Sequence, residues 1–280
     1  MKESRKIKVA FQGELGAYSE RAARKFFGKV KLELKPCLTF SNVFHEVESS
    51  AANFGVVPVE NTLNGGIREV FNLLGDHKVY VVGEIKLKIS HVLVAKGDAR
   101  LSSIRKVYSH PQALMQCRDF LRRNRLKPVE FYDTAGAARH VAEMNDLTAA
   151  AISSEEAAEH YRLKVLRRRI ENDSENYTRF VIISPKFTVE KNADKTTVIF
   201  TLRNMPGALY RALSVFAIRD IDLLSIDSIP LSGKLWEYRF YIDFKGSITE
   251  PRCMHAVDNL AELSHNLKVI GSFKSGETVS

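Results

Sequence analysis

At 280 residues, with 45% hydrophobic and 27% charged side chains, the chain can bury a sizeable core, and two domains are expected. No apolar run approaches the roughly 20 residues that span a bilayer, and the basic start MKESRKIKVAF lacks the apolar core and cleavage site of a signal peptide; neither membrane insertion nor export is expected. The net charge of +9 admits nucleic acid as a partner, but the basic residues are scattered, so a solvated basic face that steers small anions is expected and no nucleic acid.

Taken in chain order, IKVAF (7–11) is an apolar run that predicts a strand. A glycine loop and the helical pattern YSERAARKFF follow. FGVVPV (54–59) predicts a further strand, with another glycine loop and the helical IREVFNLL behind it. VYVVGEI and HVLVA come close together near residues 79–95, where the chain is expected to pass from one lobe to another. KVYSH then leads to the helical ALMQCRDFLRR, VEFYD to AGAARHVAEM, and AAAIS to a helix starting near Ser154. This alternation predicts an α/β architecture with largely parallel sheets. The densest basic run, RLKVLRRRI (162–170), has neither an aromatic RNA-binding strand nor a metal-knuckle spacing beside it and reads as solvated surface. Cys37, Cys117 and Cys253 are widely spaced and read as reduced thiols of a cytoplasmic protein, with no metal-like pattern.

After Ile183, PKFTVEKNADK (185–195) mixes a proline with charges and keeps no period, so it reads as a linker. Beyond it the predicted order is strand 196–203, helix 207–218, strand 223–230, strand 235–244, helix 251–264 and strand 268–273. A hairpin turn is expected at Ser232-Gly233-Lys234. That βαββαβ order is the ferredoxin-like motif.

Chemistry concentrates in the loops behind the strands, where open α/β sheets bind ligands. Gly13-Glu14-Leu15-Gly16-Ala17-Tyr18-Ser19 lacks the spacing of a dinucleotide fingerprint, and no Walker lysine follows, so nucleotide binding is rejected. Backbone donors for an anion and a plain structural turn both stay open there. Pro58-Val59-Glu60-Asn61-Thr62, followed by Asn64-Gly65-Gly66, sets a carboxylate and an amide behind an apolar strand; helix capping by Asn64 is the other reading. Ser109 ends a strand and Gln116 sits on the next helix, so both can face one cleft, whereas His110 has no acidic partner close in sequence. Asp133-Thr134-Ala135-Gly136-Ala137-Ala138 also reads as an N-cap and helix start. SENYTRFVII (174–183) turns from polar to apolar at Tyr177, Thr178 and Arg179, either a solvated strand end or a hydroxyl and guanidinium offered to a ligand. No GxSxG elbow, HExxH or Cys–His arrangement appears. Hydroxyls, amides, one carboxylate and one guanidinium suit a site that orients an anion and donates hydrogen bonds.

In this order the segments resemble the prephenate dehydratase family over nearly the whole chain. The carriers are GELGAYSE (13–20), PVENT (58–62), SHPQALMQC (109–117), DTAGAA (133–138) and Thr178-Arg179-Phe180. The following βαββαβ module resembles an ACT domain, a regulatory amino-acid-binding unit, with Pro206-Gly207-Ala208-Leu209 as its glycine loop. The resemblance implies an α/β fold: a two-lobed, periplasmic-binding-protein-like (type II) catalytic domain over 1–184 with crossings near 85 and 178, a linker over 185–195, and a ferredoxin-like ACT domain over 196–280. It implies decarboxylative dehydration of prephenate to phenylpyruvate in L-phenylalanine biosynthesis, without cofactor or metal, by a homodimer or homotetramer regulated by phenylalanine. Thr178, Glu60, Asn61, Ser109 and Gln116 are then the catalytic positions. Arg179, Phe180, Thr62, Asn64, Gly65, Gly66, Ser19 and Thr134 surround the substrate, and Pro206, Gly207, Ala208, Leu209, Asp227 and Ser228 the effector.

Aromatisation drives loss of the ring carboxylate and ring hydroxyl, so a neutral hydroxyl on the leaving oxygen suffices, which favours Thr178. A cation on the departing carboxylate would stabilise the ground state. Arg179 is therefore expected to grip the pyruvyl carboxylate as a bidentate fork, so that Arg179→Lys mainly raises KM. The family's I-E-S-R-P reads Ile226-Asp227-Ser228-Ile229-Pro230 here, which implies phenylalanine binding that is weakened or altered in specificity. Two alternatives stay open: an arogenate dehydratase, with the same chemistry on the α-amino analogue, and a non-enzymatic solute-binding or sensor protein of the same two-lobed fold.

Overall fold

The computed structural model describes residues 6–231 and 237–279. The hairpin turn expected at Ser232-Gly233-Lys234 lies outside the described residues. Strand β1 (Ile7–Gln12), helix α1 (Tyr18–Phe27), strand β2 (Leu32–Cys37), helix α2 (Phe40–Glu48) and strand β3 (Phe54–Asn61) form a βαβαβ unit in which β2 and β3 both run parallel to β1. The two-residue β4 (Gly65–Gly66) folds back on β3, and α3 (Arg68–Asp76) and β5 (Tyr80–Lys88) follow. The sequence reading has no element at β2 or α2. β2 is an edge strand interrupted by Pro36, which blunts its signal. α2 is started by Thr39, whose Oγ1 accepts the Asn42 N–H at 3.2 Å.

The chain then enters a second lobe. It comprises β6 (Val92–Ala95), β7 (Lys106–Ser109), α4 (Pro111–Gln116), α5 (Arg118–Arg123), β8 (Lys127–Glu130), α6 (Thr134–Glu143), β9 (Ala149–Ser153), α7 (Glu155–His160) and β10 (Lys164–Arg168). Its sheet has the order β10-β6-β9-β7-β8. The helix expected over ALMQCRDFLRR breaks at Cys117, where φ is −109° and ψ is 14°. The basic run contains the edge strand β10, with Arg167 and Arg168 exposed.

Strand β11 (Tyr177–Ser184) returns to the first sheet and lies antiparallel between β3 and β5. The expectation of largely parallel sheets is therefore corrected: both are mixed, since β6 is also antiparallel to β9 and β10. β5 carries the chain out to the second lobe and β11 brings it back alongside, so the two must run oppositely. One apolar cluster, including Phe11, Val56, Leu87, Val94, Ala138 and Phe180, spans both lobes and holds them together.

Gly16 marks another contact between them. Its φ is +89°, and a Cβ there would stand 2.4 Å from the Ala157 Cα on α7; its carbonyl accepts the Ser154 hydroxyl at 2.6 Å. Gly16→Ala is expected to cost roughly 1–3 kcal/mol or more by overpacking and backbone strain. Thermal unfolding checks this, with kcat/KM falling as the lobes are pushed apart.

The last third contains β12 (Lys195–Leu202), α8 (Ala208–Ala217), β13 (Leu223–Pro230), β14 (Tyr238–Lys245), α9 (Pro251–Leu263) and β15 (His265–Phe273). The antiparallel sheet has the order β13-β14-β12-β15, the ferredoxin-like arrangement. α8 and α9 pack on one face through Phe200, Phe216, Phe244, Ala256 and Leu260. The opposite face lies on the first lobe: Ile199, Ile229, Tyr241 and Phe273 share a buried cluster with Phe71, Leu74, Val81 and Ile183. The Tyr241 hydroxyl donates to the Phe71 carbonyl, and Arg239 pairs with Asp76 at 2.7 Å.

The expected linker is pinned rather than free. The Glu190 N–H donates to Ser272 O at 3.3 Å and the Asp194 N–H to Phe273 O at 3.1 Å. Finally β16 (Thr278–Val279) pairs parallel with β5, completing the order β16-β5-β11-β3-β1-β2. Two residues are too short to show a period, so this strand has no sequence signal.

Candidate active site

The lobes enclose a cavity of about 370 Å³ at the carboxyl ends of β1 and β3 and the start of β11, the size of a small-molecule site. Tyr18 and Ser19 from α1, Asn61, His91, Gln116, Thr134, Thr178 and Phe180 line it. Among the described residues no lysine or arginine lines this cavity, and Asp133 is the only carboxylic acid that does. Burial raises the Asp133 carboxyl above its ordinary value, although the Gly136 N–H that it caps opposes this.

Strand alternation decides which side chains reach the cavity. Successive residues point to opposite faces, so Thr178 faces the cleft and Arg179 faces away; on β3 a register shift next to Glu60 lets both Pro58 and Asn61 line the cleft, while Glu60 turns to Arg179. This corrects two expectations. Arg179 does not line the cavity. Its guanidinium pairs with Asp243 of β14 at 2.7 Å, Glu60 at 3.1 Å and Glu84 of β5 at 3.3 Å. Glu60 is thus an ion-pair partner on the far face rather than a cleft carboxylate.

Lys195 joins the cluster through Glu84 at 2.7 Å, and Asp243 also accepts the Thr197 hydroxyl at 2.5 Å and the Ser225 hydroxyl at 3.0 Å. Burial pushes the Asp243 carboxyl up, but Arg179, Lys195 and these hydroxyls outweigh it and hold it below the usual range. Burial likewise opposes the Arg179 charge, and Asp243, Glu84 and Glu60 more than restore it. Asp227 is raised, first by burial and then by the nearby Glu60.

Other expected substrate contacts fall outside the cavity. Ser109 is fully buried and its hydroxyl donates to Ile152 O at 2.7 Å, inside the second sheet. Thr62 is exposed and bridges β3 to β11, donating to Glu175 O at 2.9 Å and accepting the Tyr177 N–H at 3.0 Å. Gly65 and Gly66 pair with Asn61 and Glu60 in β4 instead of opening a helix, and α3 starts at Arg68. Asn64 acts through Asn61, donating to its Oδ1 at 2.8 Å. Asp227 points at Gly66, Ile229 is buried against the first lobe, and Ser228 faces outward. The effector position assigned to Asp227 is thereby corrected to the interface with the first lobe.

Within the cavity the polar groups form a chain. Asn61 Nδ2 donates to Thr178 Oγ1 at 3.0 Å, Asn176 Oδ1 at 2.7 Å and Tyr177 O at 3.0 Å. Asn176 Nδ2 donates to Gln116 Oε1 at 3.1 Å, and the same oxygen lies 2.9 Å from His91 Nε2. His91 Nδ1 is 3.0 Å from the Tyr18 hydroxyl, which also donates to Ser90 O at 2.7 Å. Asn176, His91 and Tyr18 are absent from the sequence-derived site. Their partners lie 25 to 115 residues away in the chain, so only the fold brings them together.

A family model described as prephenate dehydratase matches residues 9–188. The chain belongs to the prephenate dehydratase family. It is 38% identical to an arogenate dehydratase/prephenate dehydratase 2, chloroplastic, of Arabidopsis thaliana, over 98% of this chain and 74% of that protein. It is similar in structure to a prephenate dehydratase in complex with L-Phe from Arthrobacter aurescens, with TM-score 0.89, 29% identity and coverage of 96% and 90% of the two chains. A structure described as a novel type of quorum quenching acylase is also similar, with TM-score 0.88, 32% identity and coverage of 96% and 98%. The prephenate dehydratase match ends at residue 188, inside the pinned segment that leads to β12.

Proposed function

We propose that the cavity binds prephenate and that Thr178 assists departure of its ring hydroxyl. The observation that carries this is the Thr178 hydroxyl itself. Its oxygen accepts the Asn61 amide, so its hydrogen is the part left to offer to the cavity. As the ring carboxylate leaves as carbon dioxide, its bonding pair enters the ring and expels the ring hydroxyl as hydroxide, which takes a proton from solvent and ends as water. A threonine O–H hydrogen-bonded to that oxygen stabilises the developing charge without giving up its own proton fully.

The absence of a lysine or arginine among the described lining residues fits the same chemistry. An unpinned ring carboxylate keeps its ground state high, which favours decarboxylation. Neutral donors hold the anion instead: the Gln116 amide, the Ser19 and Thr134 hydroxyls, and the backbone N–H groups at the start of α1, whose N-cap Ala17 provides no side-chain cap. A turnover assay following phenylpyruvate tests the reading, and kcat/KM on prephenate against arogenate sets the preference. An acylase needs an activated nucleophile. Among the described residues, no Ser or Thr hydroxyl lining the cavity bonds an imidazole.

The βαββαβ unit over 196–280 is, in this reading, the ACT regulatory module, with residues 1–184 catalytic. Its support is the L-Phe complex of the similar structure, and a groove of about 120 Å³ lined by Met205, Ala208, Leu209 and Phe240 beside the Pro206–Gly207 turn. Gly207 opens α8 at φ 76°, a conformation that favours glycine. β13 is an edge strand that exposes Leu224 and Ile226, which supports a homodimer formed through this module. No helix among the described residues is long and apolar enough to cross a membrane, and the cytoplasm is the proposed location. Titration calorimetry with millimolar phenylalanine is expected to give heat of binding and a matching fall in turnover; no heat and no change in rate would remove the effector.

A further inference from the structure

Each link of the buried amide chain has a single consistent assignment. Asn61 Oδ1 accepts the Leu63 N–H at 3.1 Å and the Asn64 amide at 2.8 Å, so Nδ2 must be the end that faces Thr178 and Asn176. Asn176 therefore accepts through Oδ1 and donates through Nδ2, and the atom it meets on Gln116 is the oxygen. His91 Nε2 meets the same oxygen and must carry a hydrogen. The Tyr18 oxygen lies 3.0 Å from His91 Nδ1, on the far side of the ring from Gln116, and its own hydrogen goes to Ser90 O at 2.7 Å. With Oε1 held by two donors, only the Gln116 NH₂ remains for the cavity.

We propose that His91 is a positioning residue whose Nε2–H sets which end of the Gln116 amide meets the substrate, with Asn176 as the second clamp. A turned-over Gln116 would set its NH₂ against both of these donors and present a carbonyl oxygen to the bound anion. The two clamps share one oxygen, so the Gln116 orientation and the Asn61–Thr178 geometry are fixed together. This rests on the proposed reaction but assigns roles to two residues that do not themselves take part in it, His91 and Asn176.

The test is a double-mutant cycle on the full chain, read as kcat/KM for prephenate and for arogenate. His91→Leu removes the donor and is expected to lower kcat/KM by about 10²-fold, because Gln116 loses the partner that orients it. In a Gln116→Ala background the same change is expected to cost less than about threefold, since His91 acts only through Gln116. His91→Gln, which can still donate from the Nε2 position, is expected to recover most of the loss. Should His91→Leu fail to fold, Asn176→Asp takes its place: it keeps the acceptor for Asn61 but sets an oxygen against Gln116 Oε1, and its effect must likewise vanish without Gln116. Losses that multiply in the double variants, or a folded His91→Gln as impaired as His91→Leu, would overturn the inference alone. A wild-type chain inactive on both substrates would overturn the proposed reaction and this inference with it.

Discussion

Thr178→Ala is expected to lower kcat by about 10²–10⁴-fold, the range for a positioned proton-sharing group, while KM changes little. The variant should fold. Asn61 Nδ2 keeps Asn176 Oδ1 and Tyr177 O as acceptors, so no buried donor is stranded when the threonine oxygen is removed. The expected cost is therefore in the transition state, where the leaving oxygen loses its donor. Thr178→Ser retains an O–H at the same strand position and should recover most of the rate, less what is lost by a freer rotamer. Near-normal turnover of the alanine variant, measured by phenylpyruvate formation, would show that another group serves the leaving oxygen.

Arg179→Met is expected to act on stability. It removes the main cation from a buried cluster in which Glu84 and Asp243 have almost no exposure, leaving Lys195 to face Glu60, Glu84 and Asp243. Breaking a buried pair by deleting one partner costs about 3–5 kcal/mol, which chemical denaturation reads directly. Because the guanidinium points away from the cavity, KM for the substrate should stay within a few-fold, opposite to the effect expected from sequence. Response to phenylalanine should weaken, since Arg179 joins the strand that carries Thr178 to Asp243 of the C-terminal sheet.

The acid side of the stability profile should move as well. In the wild type the folded Asp243 carboxyl lies below its ordinary 3.8, so its contribution is complete above that pH and is lost as pH falls through the lower folded value. Without Arg179 that carboxyl rises, and acid unfolding of Arg179→Met should begin at higher pH than in the wild type.

Much of the scaffold was legible because long apolar runs such as FGVVPV and FVIIS carry strong local signals, and the βαββαβ order of the last third follows from periodicity. The mixed sheets were not, because direction depends on where β11 re-enters, a matter of topology rather than composition. At the site, Thr178, Asn61, Gln116, Ser19, Thr134 and Phe180 do line one cavity. Glu60 and Arg179 went astray through a rule the sequence itself contains: neighbours on a strand cannot face the same way. Adjacency in a motif is not adjacency in space. His91 and Asn176 were invisible for a different reason, since a lone buried histidine and a polar residue before a strand carry no local mark of the partner they find.

The placement of β11 has a consequence for the order in which the molecule is assembled. The second lobe is one unbroken stretch, 92–168, whereas the first sheet is made of β1 to β5, then, only after that stretch, β11 between β3 and β5, and last the short edge strand β16. On the ribosome the inserted lobe has all its strands while the first still lacks its central one. The first lobe closes when residues 177–184 emerge, and that closure delivers Thr178 to Asn61. Any nascent or truncated chain ending before this strand can hold a finished second lobe and still have no catalytic hydroxyl in place.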